Sequence, residues 1–439
     1  MQTSLTYLQQ DLAGSAAFHL KVSSSTVRTP IHFLALLDVS ESMMDENKLV
    51  NVKRCMSLLL KFLSHTDKLS IVTFGEESKI VVKGVKTEPL SIPMLEQAIE
   101  SLDTHGSTNL SAGLASIREI LDERDDCELK SSLLVLTDGH ANRGASTPSE
   151  LQTIVKRIRE LFPTLSMSFI AYGTNHNADL MNVLAEETLG TYSIVKNLED
   201  AALTMGDALG GAISCVAQNV AISVPEGTTV EGPFKVVNNR IVLGDIYAGS
   251  EKLILLKKPE GSMFLSGVSL PSLDPFKREV TTITTDTSRN ADIELTRLRY
   301  ECSRLFQVLR TQQHVELAEF RAAINDPFLA GNPVTAMLQS ELASLEAAQE
   351  LLRNGMSNHI YSQLAQHERY TSTGGGTSSV IVPRRTARFA SFCSSDPIAD
   401  SDNETVTHIS GGQQTPMVGE VQRQIASMMR QASQTPSIP

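Results

Sequence analysis

The chain lacks the features that would place it in several large protein classes. Its five cysteines (Cys55, Cys127, Cys215, Cys302 and Cys393) are odd in number, widely scattered and without a Cys-x-x-Cys pair. That excludes a disulfide framework and a zinc array, and free thiols in a reducing compartment are the simplest account. No apolar run reaches the roughly 18 residues that a membrane-spanning helix needs, and no basic segment followed by an apolar one marks a leader. A net charge of −12 leaves no basic surplus to neutralise phosphates, which argues against a general binder of nucleic acid or of anionic membranes. A Gly-x-x-x-x-Gly-Lys-Ser/Thr phosphate loop is missing, and the Ser-x-x-Ser pairs have no base at a spacing that predicts a triad. Two Asn-x-Ser/Thr sequons, at Asn109 and Asn403, make no case for glycosylation. The expectation is a cytoplasmic protein with neither a nucleic-acid partner nor a membrane span.

What is present points to an α/β architecture. The chain has 439 residues, 41% of them hydrophobic and 20% charged, which fits two or three globular domains with connecting segments. Its organising stretch is Ile31 to Ser42, IHFLALLDVSES. An almost unbroken run of branched apolar side chains reads as a central strand buried on both faces of a parallel sheet. The polarity then reverses. Asp38, Ser40 and Ser42 leave the strand's carboxyl end at alternate positions, where open α/β sheets place their ligands, and three hard oxygens so spaced suit a small divalent cation. From Ile31 to about Ala212 strands alternate with helical patterns at 92–102, 110–122, 149–161, 178–188 and 198–212. The alternation specifies a doubly wound, mostly parallel sheet with helices on both faces and right-handed crossovers. The short segment KIVVKG, flanked by lysines, reads as an edge strand.

The Asp-x-Ser-x-Ser pattern resembles the metal-ion-dependent adhesion site of von Willebrand factor A (VWA) domains. That resemblance implies two further ligands, a threonine from a loop before a helix and an aspartate at the end of a later strand. Here they correspond to Thr108 in GSTNLSAGL and Asp138 in LLVLTDG. The implied metal site is Asp38, Ser40, Ser42, Thr108 and Asp138. The implied ion is Mg2+, or Mn2+ or Ca2+, with one position left open for an acidic side chain of a protein partner. Two carboxylates neutralise the ion and the hydroxyls add neutral oxygens; magnesium keeps waters when so few carboxylates reach it. A purely structural reading, in which the metal only staples three loops together, stands beside the binding one. Glu41 occupies a position where many family members carry glycine, and a carboxylate there would fold over the ion or repel an acidic ligand. His105 and His140 flank the Thr108 and Asp138 loops and read as rim residues rather than ligands. Asp45 and Glu46 read as helix N-terminal charges, and Asp103 as either a supporting acceptor or a solvated carboxylate.

Beyond Ala212 the periodicity changes to two. Short strands separated by Gly, Pro and Asn turns fill 214–288, with Asn238-Asn239 as a hairpin turn and Ile241, Leu243, Ile246, Leu253 and Leu255 expected to line one side of a small sheet or sandwich. The phrase VLGDIYAGSEKLILLKKP resembles the β domain that follows VWA in VWA-containing RING-finger ubiquitin ligases and VWA–Hint proteins; inter-alpha-trypsin inhibitor heavy chains have related two-part architectures. Residues 1–29, in which Phe18, Leu20 and Val22 alternate, are expected to pair with that β domain and so flank the VWA unit at 30–213. Residues 289–369 return to helical spacing and read as an antiparallel helical hairpin over 290–324 and 333–354, broken at Asn325-Asp326-Pro327. From 370 to 439 the composition is that of a mostly disordered tail, with one amphipathic stretch from Val421 to Met429. No RING cysteine/histidine array or other catalytic module is present. The expected function is therefore a metal-dependent scaffold or adaptor in a ubiquitin-related setting, not an enzyme. A metal-assisted hydrolase and a structural VWA protein that recruits nothing are the alternatives.

Overall fold

The computed structural model describes residues 1–353 except 9–14, 24–27, 125–128, 139–140, 174–175, 189, 196–197, 233, 235, 258, 260, 281–282, 287–289 and 313. The tail expected over 370–439 lies outside the described residues, as do Cys127, His140 and Cys393.

Two strands open the chain, β1 (Gln2–Leu8) and β2 (Ser15–Lys21). The α/β unit follows: β3 (Ile31–Asp38), a 3-10 turn (Glu41–Asn47), α1 (Lys48–Leu60), β4 (Lys68–Phe74), β5 (Ser78–Lys86), α2 (Ile92–Glu100) and α3 (Leu110–Asp122). It continues with β6 (Lys130–Thr137), α4 (Pro148–Leu161), β7 (Ser166–Tyr172), α5 (Ala178–Thr188), β8 (Thr191–Val195) and α6 (Leu198–Ser214). Its sheet has the order β5-β4-β3-β6-β7-β8. All pairs are parallel except β4 with β5, which is antiparallel at the edge. Every residue of β3 and of β6 is buried, because helices cover both faces. One apolar layer joins the sheet to α1, α2 and α6, the other to α3, α4 and α5. From β3, the first strand of this sheet in the sequence, the chain runs in one direction through β4 and β5 and in the other through β6, β7 and β8. The gap between the carboxyl ends of β3 and β6 is thus the topological switch point at which such sheets bind ligands.

Local chemistry starts and positions the helices nearest that gap. Asn109 caps α3 by accepting the N–H of Ala112, an N-cap role that satisfies an otherwise orphan donor. Gly113 then lets α3 approach the sheet: a Cβ there would meet Leu36 Cδ1 at 2.7 Å and Phe74 Cβ at 3.1 Å. Helix α4 begins with a complete capping box from Thr147 and Glu150, with Pro148 in its first turn.

The α/β unit is inserted into a β sandwich. After α6 come β9 (Cys215–Ser223), β10 (Thr229–Glu231), β11 (Val236–Val237), β12 (Arg240–Tyr247), β13 (Glu251–Lys257), β14 (Phe264–Ser269), β15 (Pro275–Glu279) and β16 (Ile283–Asp286). They form two five-stranded sheets, β10-β13-β2-β1-β16 and β11-β12-β9-β14-β15. Strand β2 lies between β1 and β13, both antiparallel to it. Ala16, Phe18, Leu20 and Val22 alternate into a core shared with Val220, Ile222, Ile241, Ile246, Ile254 and Leu265. Asn238 and Asn239 both have positive φ (50° and 58°), the conformation of a tight hairpin turn between β11 and β12. Leu253 and Leu255 depart from the expectation that they share a face with Ile241: they point to the opposite side of the sheet, against Ala17, Ile293 and Tyr300. The reason is the strand's period of two. Ile254 and Leu256 take the sandwich core, so their odd-numbered neighbours face outward.

That outer face is covered by α7 (Ala291–Gln312), which is followed by α8 (Ala318–Ile324) and α9 (Pro333–Arg353). The periodicity over 290–324 does not form one helix. The chain is non-helical over 314–317, where the N–H of Val315 is held by Gln349 Oε1 at 2.7 Å. Nor do the two long helices form an antiparallel hairpin. Their carboxyl ends lie together, with Arg353 on His314 and Gln349 on Val315. The short α8 makes the return, pairing Arg321 with Glu346 and Asn325 with Gln339. Cys302, Leu305, Phe306, Leu309, Leu338 and Leu345 fill the centre of this helical unit.

The point of insertion is tied closely. Thr29 at the entry hydrogen-bonds Ile213 and Cys215 at the exit, N–H to carbonyl at 3.2 Å and hydroxyl to carbonyl at 3.0 Å. Arg28 makes two hydrogen bonds to the carboxylate of Asp67, which has no exposed side-chain surface and also accepts the N–H groups of Ile31 and Ser64. Breaking a buried, multiply bonded ion pair by removing one partner costs about 3–5 kcal/mol. Asp67→Ala should therefore lower the unfolding free energy by about that amount, read as a reduced urea midpoint with an unchanged slope. A loss below about 1 kcal/mol would show that this tie contributes no more than an exposed pair does.

Candidate functional site

Asp38 is the last residue of β3 and Asp138 immediately follows β6, so two neighbouring parallel strands deliver two carboxylates to one sheet edge. Both are buried, at 0% and 3% exposure. Asp38 accepts the N–H of Ser40 on Oδ1 at 2.8 Å and the hydroxyl of Thr137 on Oδ2 at 2.5 Å. Burial pushes its carboxyl up to about 6, against the lowering effect of the Thr137 and Ser40 hydrogen bonds and with a further raising contribution from Asp138. Ser42 joins the two halves of the site: its hydroxyl lies 3.2 Å from Ser40 Oγ and donates to Asp138 Oδ1 at 2.8 Å.

Thr108 comes from the loop before α3. Its N–H donates to Asn142 Oδ1 at 2.9 Å, and its carbonyl accepts from the N–H groups of Asn142 and Arg143. The loop after β6 therefore clamps the Thr108 loop from both sides. Gly144 has φ +68°, and a Cβ there would lie 2.4 Å from Asn109 Oδ1 and from Ser111 Oγ, so glycine is what allows the two loops to approach so closely. Ser40, Ser42 and Thr108 line one open cleft of about 450 Å³ together with Glu41, Glu76, Ser107, Asn142 and Arg143. Ser107 Oγ is buried there with no hydrogen-bond partner. Hydroxyls, carboxylates and an orphaned polar atom beside a cleft form a donor set that fits a hard divalent cation.

The neighbours of the site divide into those that reach it and those that do not. Glu41 is exposed on the cleft rim, its N–H on the carbonyl of Gly106 at 3.1 Å. Glu76 pairs with Arg143 at 2.8 Å on the cleft rim. His105 is exposed and its ring nitrogen meets the carbonyl of Asp103, within its own loop. The Asp103 carboxylate accepts the N–H of Thr104, also locally. Asp45 and Glu46 fall in the kink of the 3-10 turn rather than in the first turn of α1. Sequence reasoning missed Lys48, Thr137 and Asn142. Lys48 donates to Asp138 Oδ2 at 2.6 Å and to the carbonyl of Ser42 at 3.3 Å. Thr137 and Asn142 stand next to motif residues, but only the folded strand ends show which atoms they reach.

The fold and the placing of these residues are those of a VWA-type domain, and the sequence comparisons agree. Residues 31–194 match the von Willebrand factor type A domain family, and the chain carries a VWA domain. "Uncharacterized protein YfbK" of Escherichia coli is 29% identical over 189 residues, 43% of this chain and 32% of its own length. The "E3 ubiquitin-protein ligase WAV3" of Arabidopsis thaliana is 24% identical over 253 residues, 52% of this chain and 31% of its own length. The chain thus spans about a third of the length of these relatives. Among solved structures, the von Willebrand factor type A protein of Catenulispora acidiphila superposes with a TM-score of 0.56 at 16% identity, covering 80% of this chain and 89% of that one. The likeness is one of fold.

Thr137→Val removes the hydroxyl that Asp38 accepts while keeping the side-chain volume. A hydrogen bond to a buried charged group contributes about 1.5–3 kcal/mol. The variant should lose about that much stability in denaturant unfolding, and an unchanged midpoint would remove Thr137 from the support of the site.

Proposed function

We propose that the chain is a metal-dependent protein-binding scaffold or adaptor. In this reading Asp38, Ser40, Ser42, Thr108 and Asp138 hold a divalent cation, Mg2+ or otherwise Mn2+ or Ca2+, and an acidic side chain of a partner completes its coordination. The observation that carries the reading is the gathering of these oxygens from three loops at the switch point of the sheet, beside an open cleft. A bound cation would supply a Lewis-acidic site for one external oxygen ligand. The residues of the chain do the remainder. Asp38 and Asp138 give the site negative charge, Thr137 and the Ser40 N–H hold Asp38 in place, and Asn142 fixes the Thr108 loop. Glu41 and the Glu76–Arg143 pair on the rim select the approaching partner by charge.

A hydrolase would need a general base at the open coordination position. Of the candidates His105, His140 and Glu41, His105 is turned to its own loop, which weighs against it as that base. The similarity to a plant ubiquitin ligase supports a ubiquitin-related setting in which this chain presents a partner to a separate ligase. Within these 439 residues the five cysteines are scattered and follow no RING spacing. No helix among the described residues is long and apolar enough to cross a membrane, and cytoplasmic action remains part of the proposal.

Thermal unfolding with Mg2+, Mn2+ or chelator tests the metal. A ligand at about a hundred times its dissociation constant stabilises the folded state by about 2.7 kcal/mol, which for a domain of this size is a rise of roughly 5–11 °C. The wild type should shift and Asp38→Ala and Asp138→Ala should not. Glu41→Gly should keep the metal-dependent shift while changing capture of acidic partners. A wild type that never shifts with any of these ions would end the proposal.

A further inference from the structure

Lys48 is the first residue of α1, and what precedes it is unusual. Glu46 and Asn47 both have positive φ, 52° and 56°, a left-handed conformation that a glutamate adopts at a cost. The chain thereby reverses between the Ser42 turn and the helix, and the Lys48 side chain runs back to the site. Its side chain is 14% exposed and its ammonium makes an ion pair with Asp138 Oδ2 at 2.6 Å, while Asp138 has no exposed side-chain surface. Both Asp138 oxygens are thus engaged, one by the Ser42 hydroxyl and one by the Lys48 ammonium. The remaining donors of the set, Ser40, Ser42 and Thr108, are uncharged.

We infer that Lys48 sets the ligand preference of the site by cancelling the charge of Asp138. This rests on the cation-binding reading above and adds a residue outside its ligand set. With Lys48, the charge supplied by Asp38, Asp138 and Lys48 sums to one negative unit, so a divalent cation is only half neutralised. The excess positive charge is then met by an anionic side chain from outside. Without Lys48 the two carboxylates neutralise the cation fully and the pull on an external carboxylate weakens. Lys48 therefore trades affinity for the cation against affinity for an acidic ligand, which suits a module whose task is to capture a partner rather than to store a metal.

The test compares wild type, Lys48→Gln and Lys48→Arg in the full chain. Gln keeps a donor for Asp138 without the charge, and Arg keeps the charge. Mn2+ affinity is read by electron paramagnetic resonance titration. At saturating Mn2+, binding of N-acetyl-aspartate amide is read by paramagnetic broadening of the probe's proton signals. Cooperative unfolding of each variant in chelator establishes that it is folded. Lys48→Gln should bind Mn2+ at least about tenfold more tightly and the aspartate probe several-fold more weakly, the scale of one unit charge at a few ångströms in an effective dielectric near 20; Lys48→Arg should stay near wild type in both. Wild-type and Lys48→Gln proteins that bind Mn2+ equally, or a glutamine variant that binds the probe as well as wild type, would overturn the inference and leave the metal site standing. If the wild type, Lys48→Gln and Lys48→Arg all fail to bind Mn2+, the metal reading falls and this one with it. Mn2+ binding by Lys48→Gln alone, with none by the wild type, would make Lys48 a block on the site rather than a setting of its ligand preference and would also overturn the inference.

Discussion

Two carboxylates buried side by side at the ends of adjacent parallel strands are the constraint around which this molecule is arranged. Removing charged groups from water is costly unless each is paired or hydrogen-bonded, and Asp38 and Asp138 also repel one another. The surrounding structure answers this locally. Asp38 is held by a hydroxyl from the end of the neighbouring strand and by a backbone N–H of its own turn. Asp138 is held by a hydroxyl from the opposite turn and by an ammonium from the start of α1. The hydroxyl residues beside them, Ser40, Ser42 and Thr108, line an open cleft.

The same logic of compensated burial holds the two halves of the chain together. Asp67 accepts from Arg28, Ile31 and Ser64 where the chain enters the α/β unit. Lys130, at the opposite end of β6 from the site, is buried against Asp245 and the Tyr247 ring of the sandwich. Gln218 reaches from the sandwich to both Asp245 and the carbonyl of Thr164. Burial also pushes the thiol of Cys215, at this junction, up to about 12, which disfavours the thiolate there. With entry and exit bonded at Thr29, the VWA unit is joined to the sandwich by polar contacts on its base while its cleft stays free on the other edge.

The α/β class was legible because its periodicities are strong and local. Apolar runs such as Phe33 to Leu37 and Leu133 to Leu136, bounded by polar turns, read as central strands, and the intervening 3.6-residue patterns fall where α1 to α6 occur. The helical segment was read less well. The stripe from Ile293 to Val315 is continuous in sequence, but Val315 and Leu317 are buried in a non-helical turn whose N–H is satisfied by Gln349, a residue far along the chain. A local pattern carries no record of such a partner. Leu253 and Leu255 illustrate the same limit: their apolar character was visible, but which face they cover depended on α7 arriving from elsewhere.

By itself the sequence determined the alternation of elements and the position of the hard-oxygen residues at strand ends. Those follow from side-chain type and short spacing. Only the tertiary structure decided that Ser42 reaches Asp138, that Asn142 clamps the Thr108 loop and that Lys48 doubles back to share the Asp138 carboxylate. Those contacts join residues 34 to 96 positions apart. The strand order and a left-handed kink at Glu46 and Asn47 set them, and neither is written in the identity of the residues that meet.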